Sequence, residues 1–204
     1  LGMKRKDKKH ILIAIPSRNS LVHIPVATFA SEAIRQNSHR NCPYWFSVAM
    51  LESVEPTEYA RNILVSVALD HKKKVDAIWF VDEDMKPTFP DSFSMLDIES
   101  DIVAGVAPIL SKEIGKPSFT WNLYREVKKG EGERHTSFFP IGLNGGQPME
   151  VDGVGTACMI IQRRVLEDKR LWLAPDKVEG IVPLFQWPRA ITGATLGTDD
   201  LDFC

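Results

Sequence analysis

Residues 77–81, Ala-Ile-Trp-Phe-Val, are apolar at every position and run directly into Asp82-Glu83-Asp84. A strand with one wet face would alternate apolar and polar residues. An unbroken apolar run reads instead as a strand covered on both faces, as in a parallel sheet. Parallel strands need crossover connections, usually helical, so this feature points the chain to the α/β class. Ligands of open α/β sheets collect at the carboxyl ends of the strands. Three carboxylates at one such end repel each other, and a divalent cation bridging a diphosphate would relieve that repulsion. Strand alternation puts Asp82 and Asp84 on one side and Glu83 on the other. The plainer alternative is that the acids open a solvated turn before Pro87.

The rest of the chain supports an α/β layout. Residues 10–16 (HILIAIP) read as a first buried strand, followed by the polar turn Ser17-Arg18-Asn19-Ser20. Val26, Phe29, Ala30 and Ala33 recur at helical spacing, with Pro25 at the helix start. Residues 44–51 form a second strand. Pro56-Thr57 then opens a helix whose apolar stripe is Ala60, Ile63, Leu64, Val67 and Ala68. His71-Lys72-Lys73-Lys74 closes it with positive charge, which suits a helix C-terminus. A short helix over 89–96 and a strand over 101–106 complete a β-α-β-α-β-α-β order.

After Pro108 the pattern changes to a β-rich excursion. A hairpin is expected over 118–127, a further segment over 137–143, and a flexible turn over 128–134. Strand character returns over 150–162, with Gly153 and Gly155 inside it. A short helix over 163–169 and an irregular or extended stretch over 175–188 follow.

A chain of 204 residues is expected to form one domain. Its net charge of −2 argues against broad binding to nucleic acid. No apolar run approaches the ~18 residues of a transmembrane helix. The apolar run 11–16 behind the basic start is too short for a signal peptide. Cys42, Cys158 and Cys204 fit neither a disulfide framework nor a zinc pattern, so a reduced, cytoplasmic protein is the expectation. The five histidines include no HxH or HExxH pair, which disfavours an imidazole-built metal site.

Four segments, in order, carry more than any one alone. They are Ile13-Ala14-Ile15-Pro16-Ser17-Arg18-Asn19, Ala60-Arg61-Asn62, Phe80-Val81-Asp82-Glu83-Asp84, and the pair formed by residues 152–158 and 197–204. Together they resemble the GT-A glycosyltransferases, near the family-2-like branch, over nearly the whole chain. Asp82-Glu83-Asp84 is similar to the DxD motif. Asp199-Asp200-Leu201-Asp202-Phe203-Cys204 is similar to the family's E-D-x-x-F-C box, with Asp199 in place of Glu.

The resemblance implies a GT-A-like, Rossmann-like, mainly parallel sheet flanked by helices. Residues 10–108 would form a nucleotide-binding half and 109–204 an acceptor-side half. It implies transfer of a sugar from a UDP- or GDP-sugar to a hydroxyl, with inversion, assisted by Mn or Mg. Pro16, Ser17 and Arg18 would line the nucleoside, and Arg61 would reach the base or diphosphate, where a planar guanidinium can donate two parallel bonds. Asp84 would ligate the metal. Asp82 would share it or hold the ribose, with Glu83 beside them. Gly153, Gly155 and Trp121 would lie along the donor or acceptor sugar. Asp200, with Asp199 next to it, would be the base that takes the acceptor proton; Thr198 capping a helix that starts there is the structural counterpart of that role.

The sequence ends at Cys204, where the family usually continues with a helix and often a metal-binding His. A nucleotide-sugar-binding module without catalysis is therefore the alternative to an enzyme. A GT-A-like nucleotidyltransferase is a further alternative, disfavoured because the loop after strand one contains no glycine. Neither GxxxxGK[ST] nor GxGxxG occurs.

Overall fold

The computed structural model describes residues 8–18, 21–55, 57–113, 116–127, 137–143, 147–173 and 176–185. Its core is a five-stranded sheet built from β1 (Lys9–Ser17), β2 (Tyr44–Glu52), β3 (Ala77–Val81), β4 (Ile102–Ala104) and β10 (Cys158–Gln162), in the order β2-β1-β3-β10-β4. β1 pairs parallel with β2 and β3. β10 runs antiparallel between β3 and β4, so four of the five strands share one direction. The fold is mixed α/β with a mostly parallel sheet, as expected. β10 separates β3 from β4, and its own apolar run, Cys-Met-Ile-Ile, is covered on both faces there.

Every residue of β3 is buried. One face of the sheet carries Ile11, Ile13, Ile15, Trp79 and Val81 against Val26, Phe29 and Ala33 of α1 (Ile24–Gln36). Phe93, in a 3₁₀ turn over Asp91–Asp97, joins this layer, with Phe29, Phe46 and Trp79 around it. The other face packs Leu12, Ala14, Ile78 and Phe80 on Leu64, Val65 and Ala68 of α2 (Thr57–Asp70), and on Val182, Leu184 and Phe185.

Several boundaries differ from expectation. The expected hairpin over 118–127 is instead β5 (Pro108–Glu113) with β6 (Lys116–Trp121). β7 (Leu123–Val127) leaves that pair and joins β8 (Ser137–Pro140) and β9 (Gly153–Val154). The single strand expected over 150–162 breaks at a turn over 156–157 into β9 and β10. The short helix expected over 163–169 is α3 (Arg163–Leu166) followed by a 3₁₀ turn, Lys169–Leu171. Strand β3 stops at Val81, so Asp82-Glu83-Asp84 lies in a turn closed by Met85 N–H to Asp82 C=O, 3.1 Å. The strand alternation expected of the three acids therefore does not apply.

Candidate functional site

The carboxyl ends of β1 and β3 lie side by side, because these strands pair in parallel register. Pro16 and Ser17 end β1, and both are buried. The Ser17 hydroxyl donates to Glu83 Oε2 at 2.5 Å, and Leu21 C=O lies 3.1 Å away as a second acceptor. The Glu83 carbonyl accepts from the His23 N–H at 3.0 Å, at the entry to α1. Glu83 thus fastens the loop after β1 to the loop after β3.

The second half of the site comes from α2. Arg61 is 3 % exposed and its Nη2 lies 3.1 Å and 3.3 Å from the two Asp82 oxygens. Glu58 is buried one turn ahead of it. At the first residue of α2, the Thr57 hydroxyl accepts from Arg18 Nε at 2.9 Å. These contacts close a ring: Ser17 to Glu83, Asp82 to Arg61, along α2 to Thr57, and Arg18 back to Ser17. Asp84 sits beside the ring and is exposed. The rim also includes Ser53, in left-handed backbone at φ 56°, whose N–H donates to Ser17 C=O at 2.8 Å.

A third group of residues borders β3 from the other side. The Asp82 N–H donates to Ala157 C=O at 2.9 Å, so the turn before β10 abuts the acids. Asn122, 2 % exposed, binds that turn to the end of β4. Its Oδ1 accepts from Ala107 N–H at 2.7 Å, and its Nδ2 lies 3.3 Å from the carbonyls of both Gly105 and Gly155. Gly155 N–H also donates to Asn122 C=O at 3.0 Å, and Gly153 pairs with Tyr124 in the β7·β9 ladder. Both glycines are buried. Trp121, next to Asn122, is 36 % exposed.

Of the residues singled out by sequence, Ser17, Arg18, Arg61, Asp82 and Glu83 are brought together with Asp84 at their edge. Gly155 and Trp121 border this group by way of Asn122 and the turn that holds Ala157. Asp199 and Asp200 lie outside the described residues. Thr57, Glu58, Ser53 and Asn122 were not anticipated. Glu58 carries a usable signal, an acid three residues ahead of Arg61 on one helix. Asn122 stands out as the lone amide between Trp121 and Leu123, while Ser53 gives no local sign of its backbone.

The donors at this end are carboxylate oxygens, the set suited to Mg or Mn rather than to softer metals. Among the described residues no group of three or more His, Cys, Asp or Glu side chains is arranged to hold an ion unaided. Magnesium-type sites commonly use one or two carboxylates and complete the shell with substrate phosphate and water. Asp82 and Asp84 fit that use.

No protein-family profile matches the chain. No curated protein matches it either. Among solved structures it is similar to one described as the crystal structure of A197 from STIV. The two are 22% identical, the match covers 81% of this chain and 72% of that one, and the TM-score is 0.45.

Proposed function

We propose that this chain is a GT-A-type glycosyltransferase that uses a UDP- or GDP-sugar with Mn or Mg. The observation that carries the proposal is the ring at the ends of β1 and β3, in which buried Arg61 engages Asp82 and leaves Asp84 exposed beside it. Held by Arg61, Asp82 is oriented before any ligand arrives. Asp84 is then the carboxylate available to a hard cation. That cation would offset charge growing on a departing nucleoside diphosphate. Arg18 borders the same rim and has the geometry to meet a phosphate or a base. Trp121 offers a partly open aromatic face on the acceptor side. Asp200, with Asp199, would receive the acceptor proton.

Nucleotide binding with and without Mn tests the first half of this reading. Asp84→Ala should remove the metal-dependent part of UDP or GDP binding. It should change stability by no more than about 0.5 kcal/mol, as for other exposed substitutions. Full metal dependence in that variant would exclude the acids as the cation site. Asp200→Asn tests the second half: donor binding should persist, while sugar transfer or nucleotide-sugar hydrolysis should fall about 10²–10⁴-fold. Binding without turnover in the parent chain would identify a nucleotide-sugar-binding module instead.

A further inference from the structure

The edge of the sheet opposite the acids has its own chemistry. β1 and β3 begin there, at Lys9 and Ala77, and β10 ends there, at Gln162. Lys72, Lys73 and Lys74 lie between α2 and β3, and all three are exposed. Lys9 and Arg40 are exposed on the same side, where Lys9 N–H donates to Pro43 C=O. Glu52, Glu58, Asp82, Glu83 and Asp84 gather at the other end of the strands. A net charge of −2 therefore conceals a molecule with an acidic and a basic end.

The lysines are not consumed by local needs. Two C-terminal carbonyls of α2, those of Ala68 and Leu69, already accept from the Arg163 guanidinium, which also donates to Val75 C=O beyond the helix. Four of the nearby acids are engaged, Asp70 with Lys177, Asp101 with Arg164, Glu167 with Arg163, and Asp76 with the His10 N–H, whereas Glu179, beside Val178, is exposed and enters no ion pair among the described residues. Among the described residues Lys72, Lys73 and Lys74 enter no ion pair. A shallow, open depression lies here, lined by Val67, Asp70, His71, Lys72 and Lys73. Val67 is 40% exposed, and Val178, next to the Lys177 that holds Asp70, is 55% exposed.

We propose that this edge docks on an anionic phospholipid surface. The pairing of exposed lysines with exposed aliphatic side chains is the chemistry of a bilayer interface, where lysine stems lie along apolar surface and their ammonium groups meet lipid phosphate. A nucleic-acid surface would favour arginine forks and exposed aromatics for stacking, and the triad here is lysine beside valine. No helix among the described residues is long and apolar enough to cross a membrane, so the contact is peripheral. Docked this way, the acidic end faces the aqueous phase. The proposal is independent of the reaction assigned to that end.

Co-sedimentation of the full chain tests it, with vesicles of phosphatidylcholine alone and of phosphatidylcholine mixed with phosphatidylserine. Binding should appear only with the mixed vesicles and weaken as salt is raised. Replacing Lys72, Lys73 and Lys74 together by Gln should lower vesicle partition on the order of 100-fold, with the thermal midpoint unchanged. Replacing the same three by Arg should retain it. No binding to mixed vesicles, or equal binding by the Gln variant, would overturn the proposal. So would binding to a single-stranded oligonucleotide at least as strong as to the mixed vesicles.

Discussion

Arg61 is the residue on which fold and site meet. Its guanidinium is buried within α2, and its partner Asp82 keeps 26% of its side chain in contact with solvent. Removing a buried charge partner leaves the other charge poorly solvated, although the exposure of Asp82 softens that cost. Arg61→Ala should therefore destabilise the chain by about 1–3 kcal/mol and, on the proposed function, weaken nucleotide binding by about 1.5–3 kcal/mol. Arg61→Lys separates the two effects: it keeps the charge and loses the planar fork. Near-parent stability with weakened binding in the Lys variant, measured by denaturant unfolding and titration calorimetry, would fit a ligand-facing role. Parent-like affinity in both variants would make Arg61 an anchor for Asp82 alone.

At the scale of elements, α2 explains much of what sequence reading could and could not supply. The expected stripe of Ala60, Ile63, Leu64, Val67 and Ala68 is half right. Ala60, Leu64 and Ala68 are buried, but Val67 is exposed, and Arg61, Asn62 and Ser66 are buried in its place. The reason lies far away in sequence. Residues 181–185 cross α2 and are pinned to its polar face: Asn62 Oδ1 accepts from Leu184 and Phe185 N–H, its Nδ2 donates to Phe185 C=O, and Ser66 Oγ accepts from Val182 N–H. Periodicity cannot reveal a partner more than a hundred residues away. β3, by contrast, was legible because its burial is written in five consecutive apolar residues. The hairpin β5–β6 was displaced in the sequence reading because its boundaries depend on pairing partners rather than on local composition. Asn62→Ala should cost about 1–3 kcal/mol, since Phe185 N–H and C=O both lose their bonds to Asn62, while Leu184 N–H keeps Val182 C=O at 3.1 Å. Amide exchange at Phe185 should rise with it. A loss under about 1 kcal/mol would mean that water satisfies those groups equally well.

For the whole molecule, acid pH bears on the edge of the sheet where β1 begins. His10 begins the buried run of β1, its ring edge-on to His71 with centroids 5.2 Å apart. Its Nε2 lies 2.7 Å from Ser47 Oγ and its Nδ1 3.2 Å from Lys74 C=O. A neutral ring with the proton on Nδ1 satisfies both contacts, donating to the carbonyl and accepting from the hydroxyl. Burial holds the His10 pKa below the ordinary 6.5, and the charge of His71 adds to this, while the Lys74 carbonyl and Asp76 offset part of it. The native state then binds fewer protons than the unfolded chain once pH falls below the unfolded value. Stability contributed by neutral His10 is present above that value and is lost as pH drops toward the folded pKa, at no more than about 1.4 kcal/mol per pH unit. The thermal midpoint of the parent chain should therefore decline between about pH 7 and about pH 5. His10→Gln retains a donor for Lys74 and an acceptor for Ser47 but has no proton to gain, so its midpoint should decline less steeply over the same range. Parallel curves for parent and variant would assign the acid sensitivity to other groups and leave His10 as a packing residue at the foot of the sheet.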